Sequence, residues 1–125
     1  MKLCIYEHMN IKFNQMRERA ADAEEMLKAL ANRHRLMILC QLIVEERSVR
    51  DLANFLNLRD STVSQHLALL RKDGFVFTRR EGQTIWYALA SEPARRLIET
   101  LYDIYCGPQS VHAQKSASRR GRRSV

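Results

Sequence analysis

The sequence predicts a mainly α-helical fold of about five helices carrying one small two-stranded β-hairpin. Three observations lead there. Apolar residues recur at helical spacing through most of the chain. Two runs rich in aromatic and β-branched residues, 75–78 and 84–89, flank a short Gly-containing segment. Helix start and stop signals punctuate the rest, at Asn32, Ser48, Gly74 and at Gly107 with Pro108.

The first helix spans about residues 12–30. Met16, Ala20, Ala23, Leu27 and Leu30 step by four, three, four and three, a repeat near 3.5 that makes a narrow seam. Such a seam packs on another helix, and its alanines permit close approach. The partner helix belongs either to a second chain or to this one. Asn32 suits the cap of a second helix ending near Val44, with Leu36, Leu39, Cys40 and Ile43 on one face. Glu45, Glu46 and Arg47 break it. Ser48, with Asp51 three residues on, resembles a capping box with Asp in place of Glu. It opens a short third helix that buries Leu52, Ala53 and Leu56. Asn57 and Leu58 then turn the chain.

The helix beyond that turn has two unlike faces. Val63, Leu67 and Leu70 recur at i, i+4 and i+7 and form one apolar stripe. Away from it lie Ser61, Thr62, Ser64, Gln65 and His66, short hydrogen-bonding groups rather than the Glu and Lys that solvate an ordinary surface helix. Such groups suit the major groove, where base edges present donors and acceptors. Gly74 fits the left-handed residue that ends the helix. Two short helices joined by a tight turn, the second bearing a polar face, make a helix-turn-helix.

The hairpin then reads as a wing. Arg79, Arg80, Glu81, Gly82 and Gln83 form its basic tip, and its arginines can reach phosphates or a minor groove. Trp86 and Tyr87 alternate faces and serve packing. Glu92 or Pro93 opens a last helix whose Leu97, Ile98, Leu101, Tyr102 and Tyr105 make a broad apolar surface. The expected architecture is a winged helix-turn-helix over residues 12–107, with an N-terminal extension at 1–11 and a basic, disordered tail at 108–125.

Composition limits the function. With 125 residues, 46% of them hydrophobic, the chain supports one folded domain. No apolar run approaches the ~18 residues of a membrane span, and the N-terminus has no signal-peptide core, so a cytoplasmic protein is expected. Net charge is +7, of which Lys115, Arg119, Arg120, Arg122 and Arg123 supply five. That tail can add phosphate contacts or merely aid solubility. Cys4, Cys40 and Cys106 are far apart and form no Cys-x-x-Cys, which argues against a zinc ribbon or a thioredoxin-like motif. His8, His34, His66 and His112 show no mutual ligand spacing. The last helix carries Glu92, Glu99 and Asp103 without the nitrogen and sulfur ligands that transition metals prefer. Neither metal nor cofactor is expected, and no His, Arg or Thr signature flanks a cysteine as a thiol-dependent enzyme would need.

The run from Leu36 to Cys40, Ser61-Thr-Val-Ser-Gln-His-Leu67, the Arg79-Arg-Glu-Gly-Gln83 wing and Asp103-Ile-Tyr-Cys106 resemble the ArsR-type winged-helix repressors. The resemblance covers roughly residues 24–106. It implies a homodimer, with first and last helices at the dimer interface, that represses transcription from double-stranded operator DNA until an inducer changes its affinity. One departure is visible. Arg59 stands where the family has a serine-like cap, so Asp60 is expected to cap the recognition helix, or the start of the helix to be shifted by a residue.

Many such repressors sense metals through a Cys-x-Cys motif on the third helix or paired Asp and His on the last. This chain has neither, although a site shared between chains stays open. Its Cys40 on the second helix and Cys106 at the end of the last are similar in placement to the persulfide-sensing branch, the SqrR- and BigR-like repressors. The resemblance implies that these two cysteines react with sulfane sulfur and become linked by a polysulfide bridge, releasing DNA at sulfide-detoxification genes. Cys4 lies outside the matched region. The alternatives are a metal-responsive repressor and a constitutive regulator whose cysteines are structural.

Overall fold

The computed structural model describes residues 13–107. The expected extension and tail, with Cys4, His8, His112 and the tail arginines, lie outside the described residues. Five helices and one hairpin follow in order: α1 Phe13–Leu30, α2 Arg33–Val44, α3 Val49–Leu56, α4 Asp60–Lys72, β1 Val76–Glu81, β2 Thr84–Leu89 and α5 Glu92–Cys106. No described helix is long and apolar enough to cross a membrane.

Local chemistry sets most boundaries. The Asn32 side chain accepts from the backbone N–H groups of His34 and Arg35 and so starts α2. Ser48 accepts from the Asp51 N–H at 3.1 Å while Asp51 accepts from the Ser48 N–H at 3.5 Å, the reciprocal box expected for α3. Asn57 ends α3 at φ 55°, a left-handed conformation that Asn tolerates, and turns the chain into α4. Gly74, at φ +82°, ends α4. Its N–H reaches the Arg71 carbonyl at 3.1 Å and the Phe75 N–H the Leu70 carbonyl at 2.8 Å, a Schellman pair. Ser91 caps α5, with Pro93 in its first turn.

At the start of α4 the expectation needs correction. The N-cap is Arg59, with no side-chain cap bond, and Asp60 is the first helical residue. Asp60 therefore acts through its charge on the positive end of the helix dipole rather than as a cap.

The core gathers α2, α3, α4, the start of β1 and α5. Ile38, Leu39, Leu52, Val63, Leu67 and Leu70 are sealed completely, each burial contributing roughly 1.5–3 kcal/mol. The centre of the buried face of α2 differs from the expected one. Ile38, Leu39 and Leu42 are buried, while Leu36, Cys40 and Ile43 pack from the edge.

Only the C-terminal end of α1, from Met26 on, joins this core. Ala29 and Leu30 are buried there, and Arg35 donates to the Lys28 and Ala29 carbonyls, both at 2.9 Å. Met16 (61% exposed) and Leu27 (58%), with Ala20 and Ala23, line an open apolar groove of about 360 Å³ that no described residue of the subunit fills. Of the seam, Leu30 packs within the subunit, while Met16, Ala20, Ala23 and Leu27 are left uncovered by the described residues.

The strands pair antiparallel from Val76 with Leu89 to Glu81 with Thr84. The hairpin is tighter than expected. Arg79, Arg80 and Glu81 lie on β1, and only Gly82 and Gln83 turn, with Gly82 at φ +63° as the mirror-image hairpin turns require.

Candidate nucleic-acid interface and thiol pair

On α4 the buried stripe of Val63, Leu67 and Leu70 fixes which side faces outward. At 100° per residue, Ser61, Ser64 and Gln65 project away from that stripe and are exposed. Thr62 and His66 stand closer to it and are half-buried. Four of the five expected DNA-reading side chains thus reach solvent in whole or part, with no partner competing for them among the described residues.

His66 is different. Its ring centroid lies 5.8 Å from that of His34, and Nδ1 is buried with no hydrogen-bond partner. Burial, then the positive charge of Arg35, then His34 hold its pKa below the ordinary histidine range. The sequence carried the signal for this placement, since residue 66 is i+3 from Val63 and i−4 from Leu70 and leans toward the core.

The two wing arginines diverge. Arg80 is exposed and makes no ion pair among the described residues. Arg79 turns inward. Its Nε donates to both Glu46 oxygens at 2.9 and 3.0 Å, and Nη2 donates to Glu46 as well. Nη1 lies 3.5 Å from Glu81, and the guanidinium sits 5.8 Å over the Trp86 ring. These hydrogen bonds hold the Glu46 carboxyl below its usual range. Sequence reasoning missed Glu46, which lies 33 positions away with only its charge to mark it.

The cysteines belong to a second region. Helices α2 and α5 pack together, and between them opens a groove of about 600 Å³ lined by Cys40, Ile43, Val44, Ile98, Glu99, Tyr102 and Asp103. Cys106 continues the same face of α5, since Glu99, Tyr102, Asp103 and Cys106 stand at i, i+3, i+4 and i+7. Both thiols are free; Cys40 is half-buried and Cys106 exposed. Burial first, and the nearby charge of Cys106 second, push the Cys40 thiol up. Among the described residues no three His, Cys, Asp or Glu side chains gather as a metal set.

Comparison with known proteins gives the family. Residues 32–77, from the cap of α2 into the wing, match the model of the bacterial regulatory protein arsR family. The transcriptional activator HlyU of Vibrio cholerae is 47% identical over 98 residues, 78% of this chain and 89% of its own. The chain belongs to the arsR family. It is a DNA-binding transcriptional regulator with a winged helix-turn-helix, not an enzyme. The biofilm growth-associated repressor of Agrobacterium fabrum is 47% identical over 94 residues, covering 75% of this chain and 80% of the relative. Among solved arsR-family folds, the transcriptional repressor BigR of Xylella fastidiosa superposes with a TM-score of 0.71 at 38% identity, covering 74% of this chain and 95% of that one.

Proposed function

We propose that this arsR-family regulator is a cytoplasmic homodimeric repressor that releases its operator when reactive sulfur bridges Cys40 and Cys106. The observation that supports the reading is the groove between α2 and α5, which the free Cys40 lines and whose α5 face runs on toward the free, exposed Cys106. The Agrobacterium relative is described as a repressor and HlyU as an activator; repression is the sign chosen here.

The chemistry needs only thiols and a hydropersulfide donor, RSSH. Exposed Cys106 attacks the outer sulfur of the donor, becomes a persulfide and expels RSH. A second donor extends it by one sulfur. Cys40 then attacks the middle sulfur of Cys106–S–S–SH, its proton leaves with the departing hydrosulfide as hydrogen sulfide, and a trisulfide remains. Two thiols and two RSSH give one trisulfide, two RSH and one hydrogen sulfide. A plain disulfide needs Cα atoms about 4.4–6.8 Å apart, whereas an extra sulfur spans a wider gap. Where the reduced helices hold the thiols beyond disulfide reach, peroxide bridges the pair poorly and persulfide bridges it well.

The bridge ties α2, which supports the DNA-reading helices, to α5. Two recognition helices of a dimer must match grooves about one turn (~34 Å) apart, so a modest change in their setting weakens binding. The uncovered seam of α1 and the exposed Tyr102 and Tyr105 supply an apolar surface for the second subunit. A related winged helix-turn-helix from Mycobacterium bovis, Mb0332, is described as homodimeric (TM-score 0.57, 36% identity).

On DNA, Ser61, Ser64 and Gln65 meet base edges, Thr62 and His66 serve at their flank, and the wing contributes phosphate contacts in which Arg80 leads. Arg79 reaches a phosphate only if Glu46 releases it. Mass spectrometry of the protein treated with glutathione persulfide tests the sensing step. A Cys40–Cys106 link carrying added sulfur is expected, and recovery of the two cysteines as separate persulfides at full DNA release would overturn it.

A further inference from the structure

The wing reads as basic in sequence, yet its charges cancel once Glu46 and Glu81 are set against Arg79 and Arg80. All three guanidinium nitrogens of Arg79 are engaged by those two carboxylates, and its plane rests on Trp86. Arg79 therefore keeps about two of its five N–H donors free, with its charge already countered by carboxylates. The residue next to Glu46 performs a parallel task on the other strand. Arg47 donates its N–H to the Tyr87 carbonyl at 3.0 Å and accepts from the Tyr87 N–H at 2.8 Å. Its guanidinium also stacks 4.6 Å from the Phe55 ring of α3. Two consecutive residues of the α2–α3 turn thus hold β1 and β2, one through a side chain and one through the backbone.

We propose that Glu46 is a positioning residue for DNA binding: by gripping Arg79 beside the Arg47–Tyr87 bridge, it sets the tilt of the wing so that Arg80 meets the DNA backbone. This rests on the wing-phosphate contact proposed above. Glu46 lies two residues beyond the end of α2, so the wing is referenced to the same helix that carries Cys40. The pair is exposed, which makes it worth little to global stability and leaves Glu46 variants folded. Its value lies in orientation, because a bidentate guanidinium–carboxylate contact fixes angle as well as distance.

The test is a double-mutant cycle read by anisotropy on a duplex that the full-length protein selects from a random pool. Glu46→Gln and Arg79→Gln are each expected to weaken binding about three- to fivefold, and the double variant no further. Neither should change the dependence of log K on log salt, whereas Arg80→Ala should lower that slope by about one. The reversed pair Glu46→Arg with Arg79→Glu should recover part of the loss. Tighter binding by Glu46→Gln, with a shallower slope for Arg79→Gln, would overturn the proposal and make Glu46 a competitor of DNA for Arg79. Unchanged affinity in Glu46→Gln overturns it too. If Arg80→Ala leaves the slope intact, the wing-phosphate contact itself falls; if that variant flattens the slope while Glu46→Gln is silent, only the role of Glu46 falls.

Discussion

His66 of the recognition helix faces His34 at the start of α2, with ring centroids 5.8 Å apart and the His66 Nδ1 sealed from solvent without a partner. Protonating His66 would set a cation beside Arg35 and His34. Its pKa is depressed by burial first and by those two neighbours next. A histidine depressed in the folded state favours folding in its neutral form. Stability is therefore full above the unfolded histidine range and falls as pH drops from that range toward the folded value. Thermal melts at pH ~7.5 and ~5.5, on either side of the ordinary histidine range, should show a loss on acidification that shrinks in His66→Gln. An equal loss in both proteins would assign the acid sensitivity to other groups.

The raised pKa of Cys40 has a kinetic consequence. At neutral pH it stays a thiol, so iodoacetamide should modify Cys106 well before Cys40. Burial is the larger cause and Cys106 the smaller. Cys106→Ser should accordingly lower the pH at which Cys40 alkylates without returning it to that of a free thiol. Identical profiles with and without Cys106 would mean that the two sulfurs do not sense each other.

Gln65 projects from the exposed side of α4 and can pair bidentately with adenine. Gln65→Ala should lose ~1–3 kcal/mol of discrimination at a single base pair while leaving the salt dependence unchanged. Full retention of sequence preference in a selection experiment would remove Gln65 from the base readers.

Where the information was local, the sequence displayed it. The Asn32 cap, the Ser48–Asp51 box, the left-handed Gly74 and the Val63, Leu67 and Leu70 stripe each depend on residues within a turn or two, and all took the expected form. Helical spacing also contained the inward lean of His66, though a list of polar residues hides it. The tip of the wing was misjudged because two arginines and a glutamate look like loop, while cross-strand pairing carries β1 through them to Glu81. The Glu46–Arg79 contact was invisible because it joins residues brought together only when the wing folds onto the α2–α3 turn. The two cysteines, 66 positions apart, were paired only by resemblance to a family, since no local spacing links them.

The wing, the recognition helix and the thiol pair meet in a single experiment, an operator titration of reduced, peroxide-treated and persulfide-treated protein side by side. Reduced and peroxide-treated dimers should bind alike, and persulfide treatment should weaken binding about 100-fold, which requires only ~2.7 kcal/mol between the two states. Cys40→Ser should hold its operator under all three treatments. Persulfide-treated protein that binds as tightly as reduced protein, or a Cys40→Ser variant that lets go equally well, would contradict the proposed sulfur switch.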